Sequence, residues 1–395
     1  MKMKKIIPFF AVAVFVFGMI SACSSSGSSG GSDGKTVIKI ASQSPLSGGS
    51  ATLGDAIRNG AQLAIKEHKK EFADKGFDIQ LAPYDDQADP KKGVANAQLI
   101  TADEKVLAVV GHLNSGVGIP SSEVYEKNNL VMVSPGNTAT EVTDRGLKTV
   151  NRIVARDDFQ GPAGADFAVK TLKAKKIFVI QDKTAYGSGL AEQFRDHAKE
   201  LGAQIVGYEG ITVGEKDFNG VISQAASKKP DLVYFGGVYA EGALIIKQAR
   251  AKGMDIPIMG GDGLDSSSTV EIAGDAVKNV YITSVAGDVT KTDKGQDFAK
   301  RYKDAFNKNI ESYSAYGYDT AAVLLQGIMD AINNNDGKLP TRQQVTDAVR
   351  NVNDYEGIAT KVSFDDKGDN KYAKVFIYKF DKASYPASQA AEINQ

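Results

Sequence analysis

The chain has one cysteine and three histidines in 395 residues. A single thiol excludes an internal disulfide, whatever the compartment. His68, His112 and His197 lie far apart, and no His/Cys/carboxylate cluster has zinc spacing, so no metal is expected. His68 and His197 sit among lysines and glutamates and read as solvated surface positions. The acidic turn at 365–369 lacks the length and terminal glutamate of an EF-hand. Also missing are a Gly-x-Ser-x-Gly elbow, a Walker loop and a dinucleotide Gly-x-Gly-x-x-Gly in the right context. Neither a cofactor nor an enzyme activity is therefore expected. The one nucleophile–base pairing on offer is Ser115 beside His112. Basic blocks with interleaved aromatics are lacking too, which argues against nucleic acid as a partner.

What is present begins at the N-terminus. Lys2, Lys4 and Lys5 precede an apolar run at 6–20, then Ile20-Ser21-Ala22-Cys23, the layout of a secretory signal. The run is short of the ~20 residues that span a bilayer and contains Pro8, so a permanent transmembrane helix is not expected. Small residues before Cys23 resemble the lipobox of bacterial lipoproteins. That resemblance implies a signal at 1–22, lipid on Cys23 and attachment to the cell membrane. Residues 23–34 are a Ser/Gly tether that cannot bury a core. Loss of the three lysines takes the formal charge from −1 to −4.

From Lys35 onward short apolar strands alternate with amphipathic helices, the pattern of βαβ units and parallel sheets. Strands are expected at 37–40, 78–82, 106–110, 130–133, 176–180, 203–208, 232–235, 257–259 and 280–283. The first helix, 52–72, turns Leu53, Ile57, Ala64 and Phe72 to the core. Helices follow at 90–102, 159–173, 188–201, 217–228, 240–252, 293–307 and 315–334, with β runs at 361–364 and 374–380. So many strands imply two doubly wound α/β domains, with the polar connector at 151–159 as the first crossover.

The stretch 106–138 organises the rest. Its two buried strands end in Gly111-His112-Leu113-Asn114-Ser115-Gly116 and Ser134-Pro135-Gly136-Asn137-Thr138. Ser115 and Thr138 are good N-cap residues, so each turn is expected to open a helix. Helix N-termini at the carboxyl edge of a sheet favour a small anion such as a carboxylate. Asp157, and Asp262 within Met259-Gly260-Gly261-Asp262-Gly263, offer carboxylates for an ammonium group. Tyr186 and Tyr239, also at strand ends, supply apolar walls with polar tips. His112 lies in the first turn and reads as structural ahead of ligand-binding.

These residues resemble the branched-chain amino-acid-binding proteins of ABC importers, the leucine/isoleucine/valine type of type I periplasmic binding protein. The most specific pieces are Tyr84-Asp85-Asp86…Asp89-Pro90, Gly111-His112-Leu113…Ser115, Gln160-Gly161-Pro162, Asp182-Lys183…Tyr186-Gly187 and Asp366-Lys367-Gly368-Asp369. The resemblance implies two lobes joined by a three-segment hinge, one at 35–156 and 286–364, the other at 157–285 and 365–395. It implies a protein that closes like a clamp on an amino acid and passes it to permease and ATPase subunits. It places Ser115, Gly136 and Thr138, with Asn137 between them, at the α-carboxylate. Asp157, Tyr186 and Asp262 are placed at the ammonium group or the cleft rim. Leu53 stands where leucine-binding members have an aromatic residue, Asn137 replaces a small apolar one, and Asp262 is shorter than the usual glutamate. Val238 takes a familiar tyrosine position, with Tyr239 one step on. The pocket is accordingly expected to be wider or more polar than a leucine site. The alternative within the same fold is an amide or amino-acid sensor acting on a signalling partner.

Overall fold

The computed structural model describes residues 34–394, and the chain from Lys35 on forms one compact unit. The signal sequence, Cys23 and all but the last residue of the Ser/Gly tether lie outside the described residues. Among the described residues, no helix is long and apolar enough to cross a membrane.

Two sheets organise the fold. The first contains Thr36–Ser44 (β1), Phe77–Asp85 (β2), Val106–Gly111 (β3), Val131–Ser134 (β4) and Val150–Arg152 (β5). Their order is β2-β1-β3-β4-β5, with every pairing parallel. β3 and β4 are buried along their whole length, which is why they read as continuous apolar runs rather than alternating ones. Helices Ala51–Asp74 (α1), Pro90–Ala102 (α2), Ser115–Lys127 (α3) and the short Glu141–Asp144 (α4) link these strands.

The chain then crosses to a second sheet through Asp157–Asp166 (α5). Its strands are Lys176–Gln181 (β6), Gln204–Gly210 (β7), Leu232–Gly236 (β8), Ile258–Gly260 (β9) and Val280–Ser284 (β10), separated by Ala185–Glu200 (α6), Asn219–Lys228 (α7), Tyr239–Ala251 (α8) and Ser267–Ala273 (α9). Returning, it adds Asp293–Phe306 (α10), Ser314–Asn333 (α11) and Arg342–Arg350 (α12), then the ribbon Tyr355–Glu356 (β11) with Lys361–Val362 (β12). A third crossing delivers Lys374–Phe380 (β13) and Ser388–Asn394 (β14) to the second sheet as antiparallel strands. That sheet runs β14-β13-β10-β9-β8-β6-β7. Its parallel part repeats the order of the first sheet. In each, strand order reverses once, between β1 and β3 and between β6 and β8, and ligands bind at the carboxyl ends flanking such a switch point.

Most expected strands and helices are present, and Leu53, Ile57, Ala64 and Phe72 face the core as the spacing predicts. Among the additional elements, which include the short α4, α9 and β11, three are informative. β5 is three residues long and carries Asn151 and Arg152, so it presents no apolar run. β14 is a polar end strand. α12 was legible, because Thr341 and Gln344 form a reciprocal capping box at its start. Two capping expectations fail: Ser115 is the first residue of α3 and not its N-cap, and Thr138 opens no helix. The next helix is the four-residue α4, after Thr140, and the loop at 136–139 is fixed instead by tertiary hydrogen bonds described below.

Helix α11 lies against α1 at van der Waals limits. A Cβ on Gly317 would stand 2.4 Å from the Ile57 carbonyl oxygen, and one on Gly60 2.1 Å from that of Ser314. Gly317→Ala is expected to destabilise by about 1–3 kcal/mol through overpacking, against the ~1 kcal/mol that alanine gains in a free helix. A calorimetric melting temperature equal to or above wild type would show that the helices separate without cost.

Candidate functional site

Two loops of the first sheet meet at its switch point. After β3 the chain turns into α3, whose N-cap is Asn114, with no side-chain capping bond among the described residues. Ser115, the first helical residue, instead accepts from the Ala139 N–H at 3.3 Å, tying the loop after β3 to the loop after β4. Ser134 Oγ accepts from the Gly136 and Asn137 N–H groups and donates to the His112 carbonyl. His112 is fully buried, its Nδ1 3.4 Å from Asp86 Oδ2 and its Nε2 3.4 Å from the Tyr125 hydroxyl. It supports the loop from behind. The side chain of Asn137 also serves the loop: Nδ2 donates to the Leu113 carbonyl at 3.0 Å, and Oδ1 faces Gly118 of α3, where a Cβ would lie 2.3 Å away.

The second sheet supplies the opposite wall. Thr184 caps α6, accepting from the Gly187 N–H and donating to Asp182. This sets Tyr186 at the start of α6, from which its hydroxyl donates to Asp262 Oδ1 at 2.7 Å and accepts from the Gly263 N–H. Gln160 of α5 donates to the same oxygen at 2.9 Å. Asp262 Oδ2 accepts at 2.5 Å from Tyr313, which precedes α11 and belongs to the first lobe. Asp262 thus has three donors, and burial raises its pKa against their opposing pull.

Asp157 differs. It is the first residue of α5, its N–H donates to the Thr138 carbonyl at 2.8 Å, and its side chain is buried, with 1% exposure. Neither carboxylate oxygen has a hydrogen bond of normal geometry among the described residues; nor does Thr138 Oγ1. Burial first, and then the nearby Asp262 charge, push its pKa well above the ordinary carboxylate value, while the Thr138 hydroxyl and Arg152 pull the other way. An unpaired buried carboxylate is costly. This site holds two carboxylates on one wall and hydroxyl-bearing loops on the other.

Ser115, Thr138, Asp157, Asp262 and Tyr186 therefore form one connected set, and Gly136 shapes the loop carrying Thr138. Leu53 is buried in the core, and its neighbour Thr52 meets Tyr239 in a separate cross-cleft contact. There the Tyr239 hydroxyl accepts from the Thr52 N–H at 3.2 Å, and Thr52 Oγ1 lies 2.8 Å from Ser268 Oγ. Ser267 N–H to Glu311 and Ser312 Oγ to the Asp265 carbonyl complete the seam. A cavity of about 780 Å³ opens beside the seam, lined by Thr52, Asp265, Ser268, Glu311 and Tyr385 among others; none of the expected site residues lines it. Asp265 is pushed up to about 7 by burial there. Sequence reasoning missed Tyr313 and Arg152 altogether. Gln160 stood within a quoted motif but was given no role.

Comparison with known proteins places this arrangement. The family model described as periplasmic binding protein matches residues 37–384. A Leu/Ile/Val-binding protein homolog 1 from Brucella suis is 35% identical over 340 residues, covering 86% of this chain and 89% of its own. A leucine-, isoleucine-, valine-, threonine- and alanine-binding protein from Pseudomonas aeruginosa is 33% identical, covering 87% and 90%. The crystal structure of a leucine-binding protein from Thermotoga maritima superposes with a TM-score of 0.82 at 31% identity, over 90% of this chain and 99% of that one. That of a branched-chain amino acid transporter substrate-binding protein from Streptococcus pneumoniae, in complex with isoleucine, gives 0.81 at 25%, over 91% and 99%.

A raised carboxylate pKa in the folded state means the native protein holds its proton more tightly than the unfolded chain. Stability then falls as pH rises from the unfolded value near 4 through the folded one, and stays lowered above it. Asp157→Asn is accordingly expected to raise the melting temperature of the ligand-free protein at pH 7, with the gain vanishing below about pH 4. A variant less stable than wild type at pH 7 would mean that the Asp157 charge is compensated in the fold.

Proposed function

This chain belongs to the periplasmic binding protein family, and we propose that it is the solute-binding component of an ABC importer for branched-chain or related amino acids. The observation that carries the reading is the Asp157 carboxylate, buried and unpaired beside Asp262, across from Ser115 and Thr138. An α-amino acid zwitterion complements this pattern. Its ammonium supplies three donors to Asp157, and its carboxylate meets the Ser115 and Thr138 hydroxyls and the N–H groups of their loops. Asp262, already holding three donors, acts chiefly as a negative wall, with Tyr186 and Gln160 fixing its orientation.

The five side-chain hydrogen bonds across the seam, from Thr52 to Tyr239 and Ser268 and from Glu311, Ser312 and Tyr313 to 262–268, support clamp closure over the ligand. The named substrates of the Pseudomonas relative include threonine and alanine beside the branched-chain set. That breadth fits a pocket in which Leu53 takes an aromatic position. Outside the cell membrane, a lipid on Cys23 and the Ser/Gly tether would keep the binding protein near its permease and ATPase partners.

Calorimetric titration with the twenty amino acids is expected to give one-to-one binding by leucine, isoleucine, valine or a near relative. Asp157→Asn is expected to weaken it by ~2–5 kcal/mol, and Asp262→Asn by less. The reverse ranking would move the ammonium to Asp262, and a wild type binding no amino acid would end the proposal. Because the ammonium favours ionised Asp157, binding should weaken as the pH falls, with protons released over the range in which the ligand-free carboxyl still holds one. Titrations in buffers of different ionisation enthalpy read that release, and an enthalpy independent of buffer would refute it. Separately, Cys23→Ala is expected to move the protein from the membrane to the soluble fraction; a variant that stays on the membrane would dismiss the lipid anchor.

A further inference from the structure

Arg152, the last residue of β5, has a fully buried side chain at the first crossing between the lobes. Its Nη1 donates to two carbonyls of the loop after β4, those of Asn137 at 3.1 Å and Ala139 at 2.9 Å. The carbonyl between them, on Thr138, accepts from the Asp157 N–H. Three successive carbonyls are therefore drawn toward one crossover segment. In a planar trans peptide the N–H points opposite the carbonyl of its own unit. Pinning the Asn137 and Thr138 carbonyls thus turns the Thr138 and Ala139 N–H groups the other way, and the Ala139 N–H reaches Ser115 Oγ. The guanidinium is held in turn by the third crossover. Asp369 Oδ1 accepts from Arg152 Nε at 2.5 Å, Thr143 Oγ1 accepts from Nη2 at 2.5 Å, and the Arg152 N–H donates to the Gly368 carbonyl. Arg156 closes the cluster by donating to Asp369 Oδ2 at 3.0 Å.

We infer that Arg152 is a positioning residue for the anion site, holding the 137–139 loop so that the Thr138 N–H and the Ser115 hydroxyl, itself fixed by the Ala139 N–H, face a ligand carboxylate, and tying that geometry to the hinge through Asp369. This rests on the amino-acid reading above, although the loop geometry itself does not. A planar fork that reaches two carbonyls, a carboxylate and a hydroxyl at once has no equivalent in lysine, whose ammonium is a compact point donor. Arg152→Lys therefore keeps the charge and removes the span.

The test uses the soluble chain from Lys35 with two measurements. Hydrogen exchange of the ligand-free protein reads the amides at 137–140, and calorimetry reads affinity for the best-bound amino acid. Arg152→Lys is expected to speed exchange at 138–139 at least tenfold, with the β3 and β4 amides unchanged, and to weaken binding ten- to a hundredfold. The milder Thr143→Val, which removes one of the guanidinium's partners, is expected to give the same exchange pattern and a three- to tenfold loss, and carries the test if the lysine variant does not fold. The pH at which binding is half lost should stay put in both, since the positive charge remains. Binding within threefold of wild type in both variants would overturn the inference. So would weaker binding with exchange accelerated throughout the sheet instead of at the loop. Failure of the wild type to bind any amino acid would remove the amino-acid reading alone, because loop exchange in the ligand-free variants still tests the positioning role.

Discussion

Everything at the cleft depends on keeping an unpaired carboxylate in a dry place. Asp157 starts a helix, and that N-terminus offsets part of its charge. The offset is small against the desolvation of a buried ion, which amounts to several kcal/mol after relaxation. Most of the donors near Asp157 are committed elsewhere. Tyr186, Gln160 and Tyr313 all aim at Asp262, and the Asp157 N–H is occupied by the Thr138 carbonyl. Had one of those donors turned to Asp157, the wall would be quieter and a cationic group would find less to gain. The strain is local, and the surrounding fold tolerates it because both sheets carry large dry cores.

Compensation comes from the hinge. Three crossovers run side by side, and paired charge concentrates where they meet: Arg152 with Asp369 in the interior, and Arg156 with Asp369 and the exposed Asp144 and Asp158. Asp144, faced by Arg156 and Lys367, is held down to about 2, as expected of a carboxylate that keeps its partners. The contrast with Asp157 is informative. The same lobe boundary contains one carboxylate, Asp144, whose pKa falls because partners face it, and another, Asp157, whose pKa rises because it is buried beside a second carboxylate. Paired charges belong to the structure, and unpaired ones mark where a ligand is received.

Much of this was legible from residue order. Parallel sheets followed from short β-branched runs alternating with helices, and the meeting of two hydroxyl-bearing loops from Ser115 and Thr138 at adjacent strand ends. What could not be read is equally specific. Thr138 looked like an N-cap, yet the carbonyls around it are claimed by Arg152 and by the Asp157 N–H, and tertiary hydrogen bonds overrode local capping. Asn137 reads as a change in pocket polarity; its Nδ2 donates to the Leu113 carbonyl, a tertiary bond no local pattern shows, while its buried Oδ1 has no partner among the described residues. Arg152 sits in a polar connector whose composition says only that it is exposed, and its burial depends on Asp369, 217 positions away. Tyr313 reaches Asp262 only because α11 packs along α1. Repetition of one strand order in both sheets was invisible as well, since the lobes share topology without a visible sequence period.

The contacts across the cleft indicate how ligand and closure are linked. Five side-chain hydrogen bonds join the lobes along the seam, each worth about 0.5–1.5 kcal/mol net. Opposing them is the burial of Asp157 beside Asp262, a cost of several kcal/mol. On the clamp reading proposed above, the two contributions are of similar size, and closure without a ligand would be finely balanced against opening. A cation delivered to Asp157 removes the opposing contribution and leaves the hydrogen bonds untouched. A ligand shifts such an equilibrium only by its differential affinity for the two states, and here nearly all of that difference falls on one carboxylate. On that reading Asp262 contributes less to it, because Tyr313, Tyr186 and Gln160 already donate to its carboxylate, while Asp157 would act as the trigger.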